Sequence, residues 1–236
     1  MQTSHQPALN VLRETGMPLQ PASFTGPGQP RPDALAPLAV TVTVPREAEI
    51  YAQGDPARFA YQVVRGCVRT VKLMEDGRRQ VNDFLMPGDW FGFEALETHE
   101  FAAEAITDTL LRRVPRRALD ALAERDAGVT RWLLNLAAGQ LRAAREHMVT
   151  LARMSASERI AGFLIATARR LPTDAAGCVP LPMSRTDIGD YLGLTIETVC
   201  RTLAQFRRDG VIRLSRDGFT VASAPGLRAH ASATRH

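Results

Sequence analysis

Glu197 and Arg201 have the side chains with the clearest chemical use in this sequence, and they lie four residues apart. A carboxylate accepts a hydrogen bond from cytosine N4, and a guanidinium can donate to guanine O6 and N7 together. Cys200 lies beside Arg201, at the border of the same helical face. These residue types at this spacing predict a helix that reads DNA bases with Glu197, Cys200 and Arg201.

The segment that must position these side chains is Met183–Phe206, which has the pattern of a helix-turn-helix. Ser184 and Asp187 form a capping-box-like start for the first helix, Gly193 ends it, and Thr195 can cap the second. The second helix has apolar side chains on one arc, namely Ile196, Val199, Leu203 and Phe206. An ordinary amphipathic helix pair with a solvated charged face remains the alternative.

The residues after the second helix favour DNA binding over that alternative. Gly210 ends the helix, and the β-like runs Val211–Leu214 and Phe219–Val221 flank an Asp217-Gly218 turn. A β-hairpin at this place predicts a winged helix-turn-helix. Arg185, Thr198 and Arg207 are the side chains predicted to contact phosphates and fix the register on the duplex.

This segment resembles the DNA-binding domain of the CRP/FNR superfamily of bacterial transcription regulators, most closely its FNR and FixK branches. The run IGDYLGLTIETVCRTL, residues 188–203, carries the resemblance, and it places Glu197 and Arg201 at the base-reading positions of that branch. Cys200 stands where the branch usually has Ser or Gly. The resemblance covers about the last four-fifths of the chain.

The resemblance implies a homodimer that binds double-stranded DNA at a TTGA-N6-TCAA-type palindrome and acts with RNA polymerase. Its FixK branch implies an activator of genes for microaerobic or anaerobic respiration or nitrogen fixation. The role of Arg201 would be to contact the guanine of TTGA, and Glu197 would accept from the cytosine paired with it.

The charge distribution agrees with an anionic partner for the carboxyl-terminal part. The net charge is +4, and residues 154–236 contain 11 Arg against 7 Asp or Glu, whereas residues 1–153 contain 18 charges of each sign. No run of 18 apolar residues predicts a membrane span, and the amino-terminal residues lack the layout of a signal peptide. We therefore expect a cytoplasmic protein.

The predicted fold class is α+β, with an N-terminal β-roll of the cyclic-nucleotide-binding jelly-roll type, a long dimerisation helix and a C-terminal winged helix-turn-helix. Strands are predicted at Val40–Val44, Tyr61–Val64, Val68–Leu73 and Val81–Leu85. The predicted segments are a mobile arm (1–37), the β-roll (38–120), the dimerisation helix (121–153), the DNA-binding domain (154–225) and a C-terminal tail (226–236).

The dimerisation helix is predicted from apolar residues that recur at spacings of three and four. They form a stripe, called the seam below: Leu134, Ala137, Leu141, Ala144, Met148 and Leu151. This a/d pattern is typical of a coiled coil. A helix that buries the same stripe against its own domain is the alternative.

The β-roll lacks the residues that bind cyclic nucleotides in the family. Phe93 stands at the position of the ribose-binding Glu, and Phe101-Ala102 stands roughly at the phosphate-binding Arg-Ser pair. A buried phosphate without a cation or hydroxyl would be uncompensated, which argues against cyclic AMP. Residues 1–60 contain no cysteine, so the family's iron–sulfur cluster has no ligands there. We therefore predict no cofactor and no metal.

Three alternatives to a ligand-free regulator stay open. One is a regulator gated by an unidentified small ligand in the β-roll, and another is a haem with His99 or His147 as axial ligand. A cupin-like enzyme is the third; it needs a cluster of metal ligands, and His99 is the one histidine in the barrel segment. We expect no enzymatic activity.

Cys200 supports a redox hypothesis. A helix amino terminus and the neighbouring Arg201 both favour the thiolate, and oxidation would put bulk and negative charge against the DNA backbone. In the alternative, Cys200 is a compact substitute for Ser that touches a thymine methyl or the edge of the core.

Overall fold

The computed structural model of the protein describes residues 32–93 and 97–232. These residues divide into two compact units, of which the first ends at Ala144 and the second begins at Arg145. The predicted mobile arm lies outside the described residues as far as residue 31. Within the described parts, no helix is both long enough and apolar enough to cross a bilayer.

The first unit contains a β-sandwich framed by helices. Its elements are α1 (Pro32–Leu35), a 3-10 turn (Ala36–Leu38), β1 (Val40–Val44), β2 (Glu49–Tyr51), β3 (Phe59–Arg65), β4 (Val68–Leu73), β5 (Arg79–Leu85), β6 (Trp90–Phe91), β7 (Ala102–Ala105), β8 (Thr109–Pro115) and α2 (Arg116–Ala123), followed by the long α3 (Ala127–Arg153), which continues into the second unit.

The strands pair in two antiparallel sheets of four, in the orders β1-β8-β3-β6 and β2-β7-β4-β5. This is the predicted β-roll, and the α+β fold class is confirmed. Strands β1 and β4 have the predicted bounds, whereas β3 and β5 are longer at their ends than the predicted runs. Arg65, Arg79 and Gln80 are polar residues at strand ends, where an apolar run stops early. Nothing in the apolar pattern explains why Phe59 and Ala60 were left out.

Strand β3 of the first sheet contributes side chains to two cores, one on each face of the sheet, because successive residues of a strand point to opposite sides. Tyr61 and Val63 of β3 belong to the core between the two sheets. Ala60 of the same strand lies in a second core, in which Trp90 packs edge-on against Trp132 of α3 with ring centroids 5.2 Å apart. The start of α3 is therefore tied to the sandwich by aromatic burial.

The predicted arm boundary at residue 37 differs from the structure. Residues 32–38 form α1 and the 3-10 turn, and Leu35 is 3% exposed within the core around Trp90 and Trp132. Prolines in this stretch suggested an arm, but Pro is compatible with the first turn of a helix.

The predicted start of the dimerisation helix at residue 121 is also wrong. Residues 121–123 end α2, and α3 begins at Ala127. The Asp126 carboxylate accepts from the backbone N–H of Gly128 at 2.8 Å and of Val129 at 3.3 Å, which is the geometry of an N-cap. Asp126 was the sequence signal for this break.

The second unit contains the carboxyl-terminal end of α3 and a winged helix-turn-helix. Its further elements are α4 (Ala156–Arg170), β9 (Val179–Pro180), α5 (Arg185–Leu192), α6 (Ile196–Arg208), β10 (Ile212–Leu214), β11 (Gly218–Val221) and α7 (Ala224–Ala231). Helix α4 begins with a capping box, in which Glu158 N–H donates to Ser155 Oγ and Ser155 N–H donates to Glu158 Oε2.

Two elements of this unit, β9 and α7, were not predicted from the sequence. The hairpin of β10 and β11 has a third strand, β9, which pairs with β11. The predicted tail from residue 226 is instead mostly helix α7, in which Leu227 is fully buried and Ala231 is 4% exposed. Ser223 Oγ caps this helix by accepting from Gly226 N–H at 3.1 Å. A two-residue strand and a short Ala-rich helix give too few periodic positions to predict.

Candidate nucleic-acid interface

Helix α5 is held at both ends by the residues that the sequence singled out. Ser184 Oγ accepts from Asp187 N–H at 3.0 Å, and Asp187 Oδ2 accepts from Ser184 N–H at 3.2 Å, so the capping box is complete. Gly193 ends the helix in the left-handed region with φ 62°. A Cβ on Gly189 would lie 2.6 Å from the Leu194 carbonyl oxygen, so this turn requires glycine.

Helix α6 buries one face almost completely. Thr195 caps it by accepting from Thr198 N–H at 3.3 Å, and Val199, Leu203 and Phe206 are at most 2% exposed. Ile196, which the sequence placed on the same apolar arc, is 43% exposed. It lies in the first turn of the helix, before the face that meets the core.

Glu197, Cys200 and Arg201 are exposed together on the other side of α6 and are called the reading face below. Positions i, i+3 and i+4 of a helix are neighbours on its surface, so the three side chains form one patch. Arg201 Nη2 approaches Thr198 Oγ1 at 3.5 Å and makes no described ion pair. The patch therefore presents an acceptor and a planar donor on a single surface.

The ionisation of Glu197 suits an acceptor. Hydrogen bonds from its own backbone N–H and from the Thr195 hydroxyl hold the pKa of the Glu197 carboxyl below its ordinary value. A carboxylate that stays ionised at neutral pH can accept but cannot donate, which is what cytosine N4 requires.

The predicted phosphate contacts lie in different places. Arg185 is half-buried at the start of α5, and Thr198 is partly buried beside Thr195. Arg207 is exposed, but six positions after Arg201 it points about 240° around the helix. Arg208, seven positions on, points within about 20° of Arg201 and is the exposed cation that the sequence argument did not select.

Cys200 is exposed and lies near Arg185. Burial lowers the pKa of the Arg185 guanidinium, and the electrostatic effect of the nearby Cys200 sulfur on that pKa is smaller and opposite. Cys67 is buried in the β-roll, and Cys178 is half-buried with its Sγ 3.3 Å from Ser215 Oγ. Of these three free thiols, only that of Cys200 lies on the reading face.

The wing, which is the hairpin of β10 and β11, packs closely against β9 at Gly218. A Cβ on Gly218 would clash with the Val179 carbonyl oxygen and would lie 2.9 Å from Cys178 Sγ. Close approach of β9 to β11 therefore requires glycine at this position. The Asp217-Gly218 pair that predicted the turn thus has a second role in packing the third strand.

The seam of α3 is an exposed apolar stripe. Leu134, Leu141 and Met148 are 65%, 53% and 66% exposed, while the opposite side of the helix buries Trp132 and Leu136. Ala137 and Ala144 are exposed as well. Leu151 differs, because it is half-buried with its Cδ2 3.5 Å from the place that a Cβ on Gly193 would occupy.

Aromatic side chains fill the interior of the β-roll. Tyr51, Tyr61 and Phe91 are each under 8% exposed, with ring centroids 5.2 to 6.1 Å apart. Burial raises the pKa of the Tyr61 hydroxyl, with the Arg113 charge as a smaller opposing effect. His99 is 3% exposed and stacks on Tyr51 with centroids 3.6 Å apart.

The two positions that carry nucleotide-binding side chains in the family are apolar contacts here. The Phe93 ring packs against Trp90 and Trp132, with centroids 5.9 and 6.0 Å apart. Phe101 lies under Lys72 Nζ at 5.4 Å from the ring centroid, and Ala102 pairs with Val71 in the sheet. Neither position offers a donor to a phosphate.

The described residues also contain no group of three or more His, Cys, Asp or Glu side chains arranged to hold a metal ion. Of the two candidate haem ligands, His99 stacks on Tyr51 in the first unit, and His147 stacks on Tyr191 in the second with centroids 4.3 Å apart. Burial lowers the pKa of the His147 imidazole.

Comparison with known proteins agrees with both halves of this description. Residues 41–126 match the model of the cyclic nucleotide-binding domain, and residues 158–230 match that of the Crp-like helix-turn-helix domain. The nitrogen fixation regulation protein FixK of Azorhizobium caulinodans is 44% identical over 183 residues, which are 76% of this chain and 74% of that protein. FixK of Rhizobium meliloti is 46% identical over 173 residues, 73% of this chain and 77% of that one.

Among solved structures, FixK2 from Bradyrhizobium japonicum is similar with a TM-score of 0.78 and 44% identity, over 84% of this chain and 99% of that one. The similarity extends through the β-roll as well as the DNA-binding domain. The chain therefore belongs to the CRP/FNR family of transcription regulators, as a FixK-like member.

Proposed function

We propose that the protein is a homodimeric activator that binds a TTGA-N6-TCAA-type palindrome and controls genes of microaerobic or anaerobic respiration or nitrogen fixation. The observation that carries the proposal is the reading face, where Glu197, Cys200 and Arg201 are exposed while Val199, Leu203 and Phe206 on the other face of α6 are packed into the domain. Arg201 donates to the guanine of TTGA, and Glu197 accepts from the cytosine paired with it.

The proposed dimer forms along the seam of α3. Leu134, Leu141 and Met148 expose large apolar side chains at heptad spacing, and burial of such a stripe by a second copy is favourable. Two reading helices then enter successive major grooves with half-site centres ~34–36 Å apart. Leu151 contributes less to this interface than the sequence predicted, because it already packs beside Gly193.

Phosphate contacts fix the register of the complex. Arg185, Thr198 and Arg207 keep this role in the proposal, and Arg208 joins them because it points to the same side of α6 as Arg201. As an activator, the dimer acts with RNA polymerase, and it works in the cytoplasm, where bacterial DNA lies.

DNA binding needs no small effector in this proposal. Support comes from the aromatic rings that occupy the β-roll interior and from the apolar contacts of Phe93 and Phe101. A regulator gated by an unidentified ligand or by haem is the alternative, and for haem the axial ligand would be His99 or His147, each of which stacks on a tyrosine.

Oxidation of Cys200 is proposed as a brake on DNA binding. Peroxide transfers one oxygen atom to the thiolate sulfur, which gives a sulfenic acid and hydroxide, and a second peroxide oxidises the sulfenic acid to the anionic sulfinate with release of water and a proton. Cys200 is exposed on the reading face with Arg185 nearby, so peroxide can reach its sulfur and an oxidised side chain would lie among the groups proposed to contact DNA. In the alternative, Cys200 is only a compact substitute for Ser, and peroxide would not weaken DNA binding through this residue.

Fluorescence anisotropy with purified protein and no added ligand tests the proposal. Labelled TTGA-N6-TCAA duplex and a scrambled duplex of the same composition are titrated under reducing conditions at one salt concentration, because the phosphate contribution depends on salt. We expect binding at least ~10³-fold tighter to the palindrome. Equal, weak binding to both duplexes contradicts the ligand-free proposal and favours an effector-gated regulator.

A further inference from the structure

Arg159, in the first turn of α4, joins the end of α3 to the turn of the helix-turn-helix. Its Nε donates to the Met154 carbonyl at 3.0 Å, and its Nη2 donates to the Leu151 carbonyl at 2.7 Å. Its Nη1 donates to the Leu192 carbonyl at 2.8 Å and approaches that of Gly193 at 3.4 Å. A single guanidinium therefore binds the carboxyl-terminal carbonyls of both α3 and α5.

The chemistry of these carbonyls explains why an arginine lies here. The last carbonyls of a helix lack partners within the helix and carry the negative end of its dipole. Arginine has five donors in a rigid planar fork, so it can satisfy two helix ends at once and fix the direction of each. A lysine keeps the charge but lacks the fork.

A second contact lies beside Arg159 and connects the same two helices. The His147 ring of α3 stacks on the Tyr191 ring of α5, with centroids 4.3 Å apart and planes at 19°. Phe163 of α4 packs against the same tyrosine, with centroids 6.0 Å apart. These rings and the Arg159 hydrogen bonds are called the joint below.

We propose that Arg159 is a positioning residue that sets the spacing of the two half-sites the dimer accepts. This inference rests on the proposed function, since it requires a dimer on a palindrome. Each helix-turn-helix is carried by the last turns of its own α3, so the angle that the joint fixes determines the distance and rotation between the two reading helices. The angle matters because one base pair of extra spacing moves a half-site by about 3.4 Å and rotates it by about 36°.

The test compares palindromes in which the spacer is shortened or lengthened by one base pair. Dissociation constants for TTGA-N5-TCAA, TTGA-N6-TCAA and TTGA-N7-TCAA duplexes are measured for wild type, Arg159→Gln, Arg159→Lys and the matched control Arg169→Gln. Arg169 is a partly buried arginine at the other end of α4, outside the joint. The readout is the ratio of affinities within one protein preparation, which the fraction of folded protein does not change.

Wild type and Arg169→Gln are expected to prefer the N6 duplex by about tenfold or more, the usual effect of one misplaced contact. Arg159→Gln is expected to bind the three spacings within about threefold while it still distinguishes TTGA from a scrambled half-site. Arg159→Lys should be intermediate, because it restores the charge without the fork.

An unchanged N6 preference in folded Arg159→Gln overturns the inference. If that variant does not fold, Arg159→Lys decides by the same ratio. Failure of both to fold makes Arg159 a stability residue and also overturns the inference. A wild-type protein that does not bind the palindrome contradicts the proposed function, and the inference falls with it. A wild type that binds all three spacings equally contradicts the inference alone.

Discussion

The interior of the β-roll and the reading face of α6 use their functional positions in opposite ways. In the β-roll, the rings of Tyr51, Tyr61 and Phe91 pack against one another, and Phe93 packs against Trp90 and Trp132. In α6, Val199, Leu203 and Phe206 turn inward, and Glu197 and Arg201 remain exposed. The comparison suggests that this chain keeps the sensor domain as a packed platform and places its recognition in the DNA-binding domain.

The largest expected effect comes from opening the packed region. Phe91→Ala removes a ring that contacts both Tyr51 and Tyr61, and we expect the free energy of unfolding to fall by about 3–5 kcal/mol. Denaturant titration measures this loss. If the β-roll is only a platform, the folded fraction of the variant should keep the wild-type preference for the palindrome. A changed base preference would contradict the conclusion that the β-roll is only a packed platform.

A substitution on the reading face should have the opposite effect: it should weaken DNA binding and leave the free energy of unfolding almost unchanged. Arg201→Ala is expected to weaken binding to the palindrome by about 1–3 kcal/mol and to change the free energy of unfolding by less than about 0.5 kcal/mol. The matched variant Arg207→Ala should weaken binding to palindromic and scrambled duplexes equally, because its contact is to phosphate. Anisotropy on both duplexes separates these outcomes. An equal loss for Arg201→Ala on the scrambled duplex would make its role electrostatic only.

Oxidation sharpens the comparison between thiols on and off the reading face. Peroxide is expected to weaken palindrome binding of wild type and of the control Cys178→Ser by about tenfold, roughly the effect of one lost base or phosphate contact. Binding by Cys200→Ser should be unaffected by peroxide, since Ser has no thiolate. Restoration by reductant shows that the product is a sulfenic acid or a disulfide rather than the sulfinate. Equal inhibition of Cys200→Ser by peroxide would exclude Cys200 as the site.

The smallest expected effect is the pH dependence of the joint. Burial lowers the pKa of His147 below the ordinary value of 6.5, so the unfolded chain binds a proton more readily than the folded one. Stability from the neutral ring is then complete above 6.5 and is lost as the pH falls below that value. We expect His147→Phe to keep the stack on Tyr191 and to reduce this dependence, as measured by denaturant titration from pH 7.5 to about pH 5. An identical pH profile in the variant would contradict this assignment.

The sequence predicted best where local signals are strong. The capping box at Ser184, the helix end at Gly193 and the apolar face of α6 are all short-range features, and the structure has each of them. The same holds for β1 and β4, whose alternating or apolar runs end at turn residues.

Features that depend on distant contacts were not predictable in this way. The roles of Arg159 and Tyr191 arise only when α3, α4 and α5 come together, and no spacing in the sequence pairs Arg159 with the Leu192 carbonyl. Leu151 fits the heptad pattern as well as Leu141 does, yet it packs beside Gly193. Periodicity identifies a face of a helix, whereas only the fold decides what covers that face.

The most direct test of the central claim combines one side-chain change with one base-pair change. Wild type and Arg201→Ala are titrated with the TTGA-N6-TCAA duplex and with a duplex in which the G·C pair of each half-site is replaced by A·T. We predict that wild type loses about 1–3 kcal/mol per replaced base pair and that Arg201→Ala loses clearly less, because its contact to guanine is already gone and only the contact of Glu197 to cytosine remains to be lost. Equal losses for the two proteins would show that Arg201 does not read this base pair and would contradict the account.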